Sequence, residues 1–310
     1  MRKILTAVSV TNTMMQSLQD LVRATPYVTV RTEDPAYPIL DIANDYATAS
    51  IALHGAQVFH FQPKHQQPVL WCSQSAHFTA GKPIRGGVPI CWPWFGKHSD
   101  SNFPAHGFAR NHFWQCDSVM QLDNGETELC LSLSSAKITQ TVWPKAYELA
   151  LVIQIGEQLN IALTMKNKSN VDCVYTAALH SYLAVGDINT VTLNGLEDVA
   201  YADKVNDVTC VAQREPVSVL EPMDRVYQNT VASVSVNDPA WNRKLLIEKS
   251  GSLTTVVWNP WAEAAKKLSD FDNNGYVNMI CVEAANAFDD VVSLAPGEQY
   301  TLATTLSVLD

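Results

Sequence analysis

Alternation of apolar and polar residues with a period of two runs through most of this chain, and it restricts the fold to half-buried β-strands. Across 148–155 the apolar residues Leu149, Leu151, Ile153 and Ile155 share one face. After a Gly156-Glu157-Gln158 turn, Leu159, Ile161, Leu163 and Met165 repeat the pattern, which predicts a β-hairpin. Similar runs occur at 128–133, 190–193, 244–248, 252–258, 276–283 and 300–308. Turn chemistry separates them at Asp123-Asn124-Gly125, Asn194-Gly195, Asn273-Asn274-Gly275 and Pro296-Gly297. Helical periodicity is confined to two short segments, Met14 to Val22 and Ala262 to Leu268. No internal repeat or low-complexity linker divides the chain. Many short antiparallel strands in one long chain predict an all-β protein, a single large antiparallel β-sandwich over residues 26–310. Residues 1–25 are expected to form a terminal extension.

Charge and cysteine usage narrow the classes of function. The chain carries 31 acidic and 21 basic residues, a formal charge of −10. Nucleic acid and anionic membrane both need a basic footprint, so neither is an expected partner. An acidic protein that binds a phosphorylated ligand must gather its positive charge locally. The seven cysteines are scattered and include no C-x-x-C pair, which argues against a disulfide framework or a zinc motif. The opening MRKILTAVSV lacks the long apolar stretch and cleavage site of a secretory signal. No run of 18 apolar residues offers a membrane span. A cytoplasmic monomer with reduced thiols is the expectation.

Residues 85–114, RGGVPICWPWFGKHSDSNFPAHGFARNHFW, are too specialised to be plain scaffold. Gly86 and Gly87 permit close backbone approach or positive φ, and Pro89, Pro93 and Pro104 fix the path. Trp92, Trp94, Phe95, Phe103, Phe108 and Trp114 offer flat apolar faces of the kind that line sugar clefts. Arg85 and Arg110 bracket them, and a guanidinium can bond two oxygens of an oxyanion at once. The bland alternative for each arginine is surface stacking on a tryptophan. Together these features suit a phosphorylated polyol.

Two titratable residues stand in otherwise apolar strand sequence. Glu283 follows Val277-Asn278-Met279-Ile280-Cys281-Val282, sharing a face with Met279 and Cys281, and could be a solvent-facing strand residue. His180 follows Thr176-Ala177-Ala178-Leu179 and could be a satisfied core histidine. The residues alone leave both alternatives open. His106 could bond substrate hydroxyls or hold backbone in a tight turn. Asp224 could accept from sugar hydroxyls or pair with Arg225, and Asp203 reads better as a loop carboxylate. The other histidines have no metal-ligand spacing, no phosphate-binding Gly-rich loop is present, and no Gly-x-Ser-x-Gly elbow marks a hydrolase.

Several motifs agree on one family. Arg85-Gly86-Gly87-Val88-Pro89, the Pro93-Trp94-Phe95-Gly96 run and His106-Gly107-Phe108-Ala109-Arg110 resemble the signature of the hexose-6-phosphate mutarotases. These form the glucose-6-phosphate 1-epimerase branch of the aldose 1-epimerase family. Ala178-Leu179-His180-Ser181-Tyr182-Leu183, Asp224-Arg225-Val226-Tyr227 and Cys281-Val282-Glu283-Ala284-Ala285-Asn286 resemble further blocks of it, so that the likeness covers roughly 45–308. The resemblance implies the galactose mutarotase-like supersandwich, with His180 as general acid and Glu283 as general base. It also implies substrate contacts from Arg85, Arg110, His106 and Asp224. Some members carry Gln immediately before the motif histidine; this chain has Ala105 there. Ring opening of a hemiacetal needs only two proton transfers, so no metal or other cofactor is expected. The competing readings are a mutarotase of free aldoses, a non-catalytic sugar-phosphate-binding module and, more remotely, a glycoside hydrolase.

Overall fold

The structure, a computed structural model, describes residues 15–137, 143–210 and 212–309. Two large antiparallel sheets dominate it. One has nine strands, in the spatial order 217–218, 192–194, 234–238, 243–250, 299–309, 159–167, 147–155, 127–134 and 115–121. The other has eight, in the order 208–210, 201–203, 223–227, 254–259, 279–286, 177–179 and 90–91, with 182–184 also paired to 279–286. A four-stranded meander over residues 28–63 lies upstream, and Cys173–Tyr175 pairs with Val292–Leu294.

The alternation read from the sequence is what holds the nine-stranded sheet in place. In Tyr147–Ile155 and Leu159–Asn167 every second side chain is buried and the others reach the opposite face. The register pairs Leu149 with Met165 and Leu151 with Leu163. A slip of one residue would turn the whole apolar set toward water. These side chains share one apolar cluster with Leu179, Val257, Ile280, Val282 and Ala284 of the eight-stranded sheet and with Leu40, Ile51 and Phe61 of the meander. Each fully buried aliphatic side chain contributes about 1.5–3 kcal/mol.

The strand Met279–Asn286 is buried at all eight positions, because both its faces are covered. Ile280, Val282 and Ala284 face the main interior. Cys281 and Ala285 face the other way into two separate small clusters, and Glu283 lies between them. The polar site therefore sits on the face of this sheet that points away from the main core.

The long 276–283 run divides differently from the sequence expectation: Gly275–Asn278 forms a 3-10 turn and the strand begins at Met279. Residues 188–190 likewise form a 3-10 turn before the short strand Thr192–Asn194. The second expected helix is shorter, Trp261–Ala265. The first covers 15–22, where Leu18 is buried in the main core, and Thr25 donates to the Val119 carbonyl at 3.3 Å. This part of the expected extension packs onto the sheets, while residues 1–14 lie outside the described ones.

Gly87 shows why the glycine pair is required. Its φ is +61°, and a Cβ would lie 2.1 Å from the Val58 carbonyl oxygen and 2.5 Å from the Phe59 Cα. Gly87→Ala is expected to cost about 3 kcal/mol or more, combining left-handed strain with overpacking against unyielding backbone. An unchanged urea midpoint would count against this account of the close approach.

Candidate active site

Backbone hydrogen bonds from the glycine–proline segment place the first titratable group. His180 and Ser181 interrupt two short strands, Ala177–Leu179 and Tyr182–Ala184, both paired with Met279–Asn286. The His180 N–H donates to the Pro89 carbonyl at 3.1 Å and the Tyr182 N–H to the Gly87 carbonyl at 2.8 Å. On the neighbouring strand the Val282 N–H donates to the Ser181 carbonyl at 3.2 Å. These contacts bring His180 Nε2 to 3.3 Å from Glu283 Oε1, although 103 positions separate the two in the chain. His180 is 7% exposed and Glu283 1%.

That separation would allow a charged pair, yet burial opposes charge on both partners. Burial pushes Glu283 well above the usual carboxylate range, helped by nearby Asp224 and opposed by Lys204 and Arg110. Burial also drives His180 well below 6.5, reinforced by His106, Arg110 and Arg85. We therefore read the resting contact as a neutral imidazole against a protonated carboxyl. The ionic and neutral arrangements hold the same number of protons and differ only in where one proton sits. His180 Nδ1 and Glu283 Oε2 are buried and have no hydrogen-bond partner among the described residues.

The other sequence-derived residues surround this pair. Arg85 is held by Asp270 at 3.2 Å and donates from Nη1 to the Tyr182 hydroxyl at 3.0 Å. The Tyr182 ring in turn stacks on His180 with centroids 4.7 Å apart. The stacking role on tryptophan considered for Arg85 is thus replaced by a polar anchor. Arg110, in the 3-10 turn Ala109–Asn111, donates from Nη2 to the Ala105 carbonyl at 2.9 Å, and its buried Nε has no partner among the described residues. His106 has φ +63° and its Nδ1 accepts from the Gly96 N–H at 3.4 Å, so it does hold a tight turn. Its ring also stands 5.8 Å from that of His180 with Nε2 uncommitted to that turn. Burial, with Arg110, Lys204 and Arg85, lowers His106 to about 3.

Asp224 corrects one alternative from the sequence. Strand alternation sends it to the site face while Arg225 turns away, so its partner is Lys204 at 3.7 Å. Arg225 instead approaches Asp203 at 3.8 Å and lies over the Tyr201 ring. Asp203 accepts backbone N–H groups from Val205 and Asn206, a structural role. Burial raises Asp224 above its usual value against the pull of Lys204.

The aromatic run needs a larger correction. Trp92, Phe108 and Trp114 are buried in the main core; Trp92 packs on Tyr147 at 4.5 Å and on Phe108 at 5.6 Å. Trp94 packs on His98 and Phe103 on one side and on Phe108 and the main core on the other, while Phe95 reaches the site, against His106 at 4.9 Å. Besides His106, the rings beside His180 are those of Tyr182 and Trp258. Lys204, Asp270 and Trp258 were not singled out from the sequence. Lys204 had a signal, since it adjoins Asp203 in Tyr201-Ala202-Asp203-Lys204; Asp270 had none. Lys82 lines a surface hollow of about 320 Å³ with His77, Lys267 and Asp270.

Buried histidines make the fold acid-sensitive. His54 is fully buried, accepts from the Gly81 N–H at 2.9 Å and is lowered by burial to about 4. The unfolded chain takes up protons near pH 6.5, before the native state can, so stability falls as pH drops from 6.5 to about 4. His54 alone accounts for about 3 kcal/mol, and His106 and His180 act in the same direction. Glu283 and Asp224, both raised in the fold, act in the opposite sense and offset part of this. Denaturant midpoints measured between pH 7 and pH 4 should decline; a flat profile would contradict this.

Comparison with known proteins agrees with this architecture. The aldose 1-epimerase family model matches residues 38–307, and the chain belongs to that family. Relatives named "Putative glucose-6-phosphate 1-epimerase" in Salmonella typhimurium and Escherichia coli are each 36% identical over 240 residues, covering 77% of this chain and 80% of theirs. The crystal structure of a "putative mutarotase (YeaD)" from Salmonella typhimurium superposes with a TM-score of 0.86 at 31% identity, covering 96% of this chain and 99% of that one. Galactose mutarotase-like proteins from Lactobacillus casei and Clostridium acetobutylicum share the fold at TM-scores of 0.68 and 0.70. The all-β supersandwich expected from the sequence is the fold of this chain.

Proposed function

We propose that the protein is a hexose-6-phosphate mutarotase, acting in the cytoplasm as a monomer on the α and β anomers of glucose 6-phosphate or a close relative. The observation that carries this reading is the buried 3.3 Å contact between His180 and Glu283, with the charges of Arg85 and Arg110 acting on His180. A family relationship supplies the reaction class, and the cluster of cations in a chain of net charge −10 supplies a reason for a phosphorylated substrate.

Ring opening requires one group to take the proton of the C1 hydroxyl and another to give one to the ring oxygen. Glu283 takes the hydroxyl proton and His180 protonates the ring oxygen. The active arrangement, carboxylate beside imidazolium, is one proton hop from the resting neutral pair. Rotation about the C1–C2 bond then presents the other aldehyde face, and reclosure runs the transfers backwards. The dyad ends each cycle with the proton count it began with. Arg85 and Arg110 hold the phosphorylated sugar, Asp224 and His106 meet its hydroxyls, and positioning supplies much of the remaining rate. Protein-dependent magnetisation exchange between the two anomeric proton signals of glucose 6-phosphate is the expected result. If the protein binds this sugar yet leaves exchange at the buffer rate, a binding module replaces the enzyme.

A further inference from the structure

Cys281 has no part in the proton transfers above, yet it shares the Glu283 face of the same strand, two positions away. Its backbone pairs with Tyr182, which places it beside the His180 turn. Ligand atoms of His180, Cys281 and Glu283 all lie within 4.8 Å of one another. None of the three residues is more than 7% exposed. In a tetrahedral zinc site, with bonds of about 2.3 Å to sulfur and about 2.0–2.2 Å to nitrogen and oxygen, donor atoms stand about 3.3–3.7 Å apart. The 3.3 Å between His180 Nε2 and Glu283 Oε1 already has that spacing. The thiol needs to close by about an ångström at most.

Two further observations favour a cation here. Among the described residues Glu283 Oε2 has no hydrogen-bond partner, so the carboxylate keeps a second oxygen uncommitted. One sulfur, one imidazole and one carboxylate select a thiophilic ion over magnesium or calcium. Three protein ligands leave a fourth position for water.

We propose that His180, Cys281 and Glu283 form an inhibitory binding site for a zinc-like divalent cation. The bound ion occupies both proton-transfer groups, so metal and sugar phosphate exclude one another. That binding silences turnover rests on the mutarotase reading; that the metal binds does not.

The test uses the whole protein and cobalt(II) as an optical probe. One equivalent of Co²⁺ should give thiolate-to-cobalt charge-transfer absorption and tetrahedral d–d bands, and excess glucose 6-phosphate should abolish them. Zn²⁺ should inhibit anomer exchange in competition with the sugar, and EDTA should restore it. Cys281→Ala and Cys281→Ser should keep exchange within severalfold of wild type while weakening zinc inhibition by at least about 100-fold. A wild type without the thiolate band, or a band that survives in folded Cys281→Ala, overturns the proposal. Should neither variant fold, failure of glucose 6-phosphate to displace cobalt from the wild type overturns it equally. Cobalt binding through Cys281 in a protein without anomer exchange would keep the metal site and remove the mutarotase reading. Exchange without cobalt binding would do the reverse.

Discussion

Glu283→Gln and His180→Asn are each expected to lower protein-catalysed anomer exchange of glucose 6-phosphate by about 10³-fold, within the range of positioned acid–base catalysis. Both substitutions nearly preserve shape, and each leaves one proton-transfer partner without its counterpart. The double variant should be little worse than either single one, because the two groups work as a unit. Adding a second proton to the dyad also stops the cycle. Since burial and the surrounding cations lower His180, the acid limb of the rate profile should lie below pH 6.5. Magnetisation exchange across a pH series measures all of this. Equal rates in wild type and both variants would remove the dyad from the chemistry.

Arg85→Ala should separate the phosphorylated substrate from the free sugar. A charge-assisted contact to phosphate is worth several kcal/mol when part-buried, so kcat/KM for glucose 6-phosphate should fall about 10²–10³-fold. For glucose the fall should stay within about fivefold. The comparison is internally controlled. Losing Arg85 also strips Asp270 of its cation and the Tyr182 hydroxyl of its donor, but both substrates meet that damaged site. Only the ratio reports the phosphate contact. Proportional losses on both sugars would assign the arginine to holding Tyr182 against His180.

The parts of this protein that were legible in the sequence are those governed by local periodicity or by a motif. The Tyr147–Ile155 and Leu159–Asn167 hairpin follows from alternation and a turn, because one face must be apolar whatever packs on it. The short strands at 90–91 and 177–184 carry too few residues for a period to show. Sequence pattern left His180 open between core and catalysis and Glu283 between a solvent-facing position and catalysis, since their contact comes from strand pairing across the sheet. Family motifs favoured catalysis. Trp92, Phe108 and Trp114 misled because an aromatic run has the same composition whether it lines a cleft or fills a core. Asp270 was invisible for a different reason: a loop carboxylate acquires meaning only from the guanidinium it happens to meet.

The strand that carries Glu283 turns one set of alternate residues into the main core and the other toward the site, where Glu283 lies between two small apolar clusters. Mutational tolerance along it is consequently sorted by parity. Changes at even-numbered positions such as 280, 282 and 284 are felt in how firmly the sandwich holds, and a change at 283 in what happens to a bound sugar. Descendants of such a chain can alter one property while the other is left largely intact, a separation that a helix with a 3.6-residue repeat would blur.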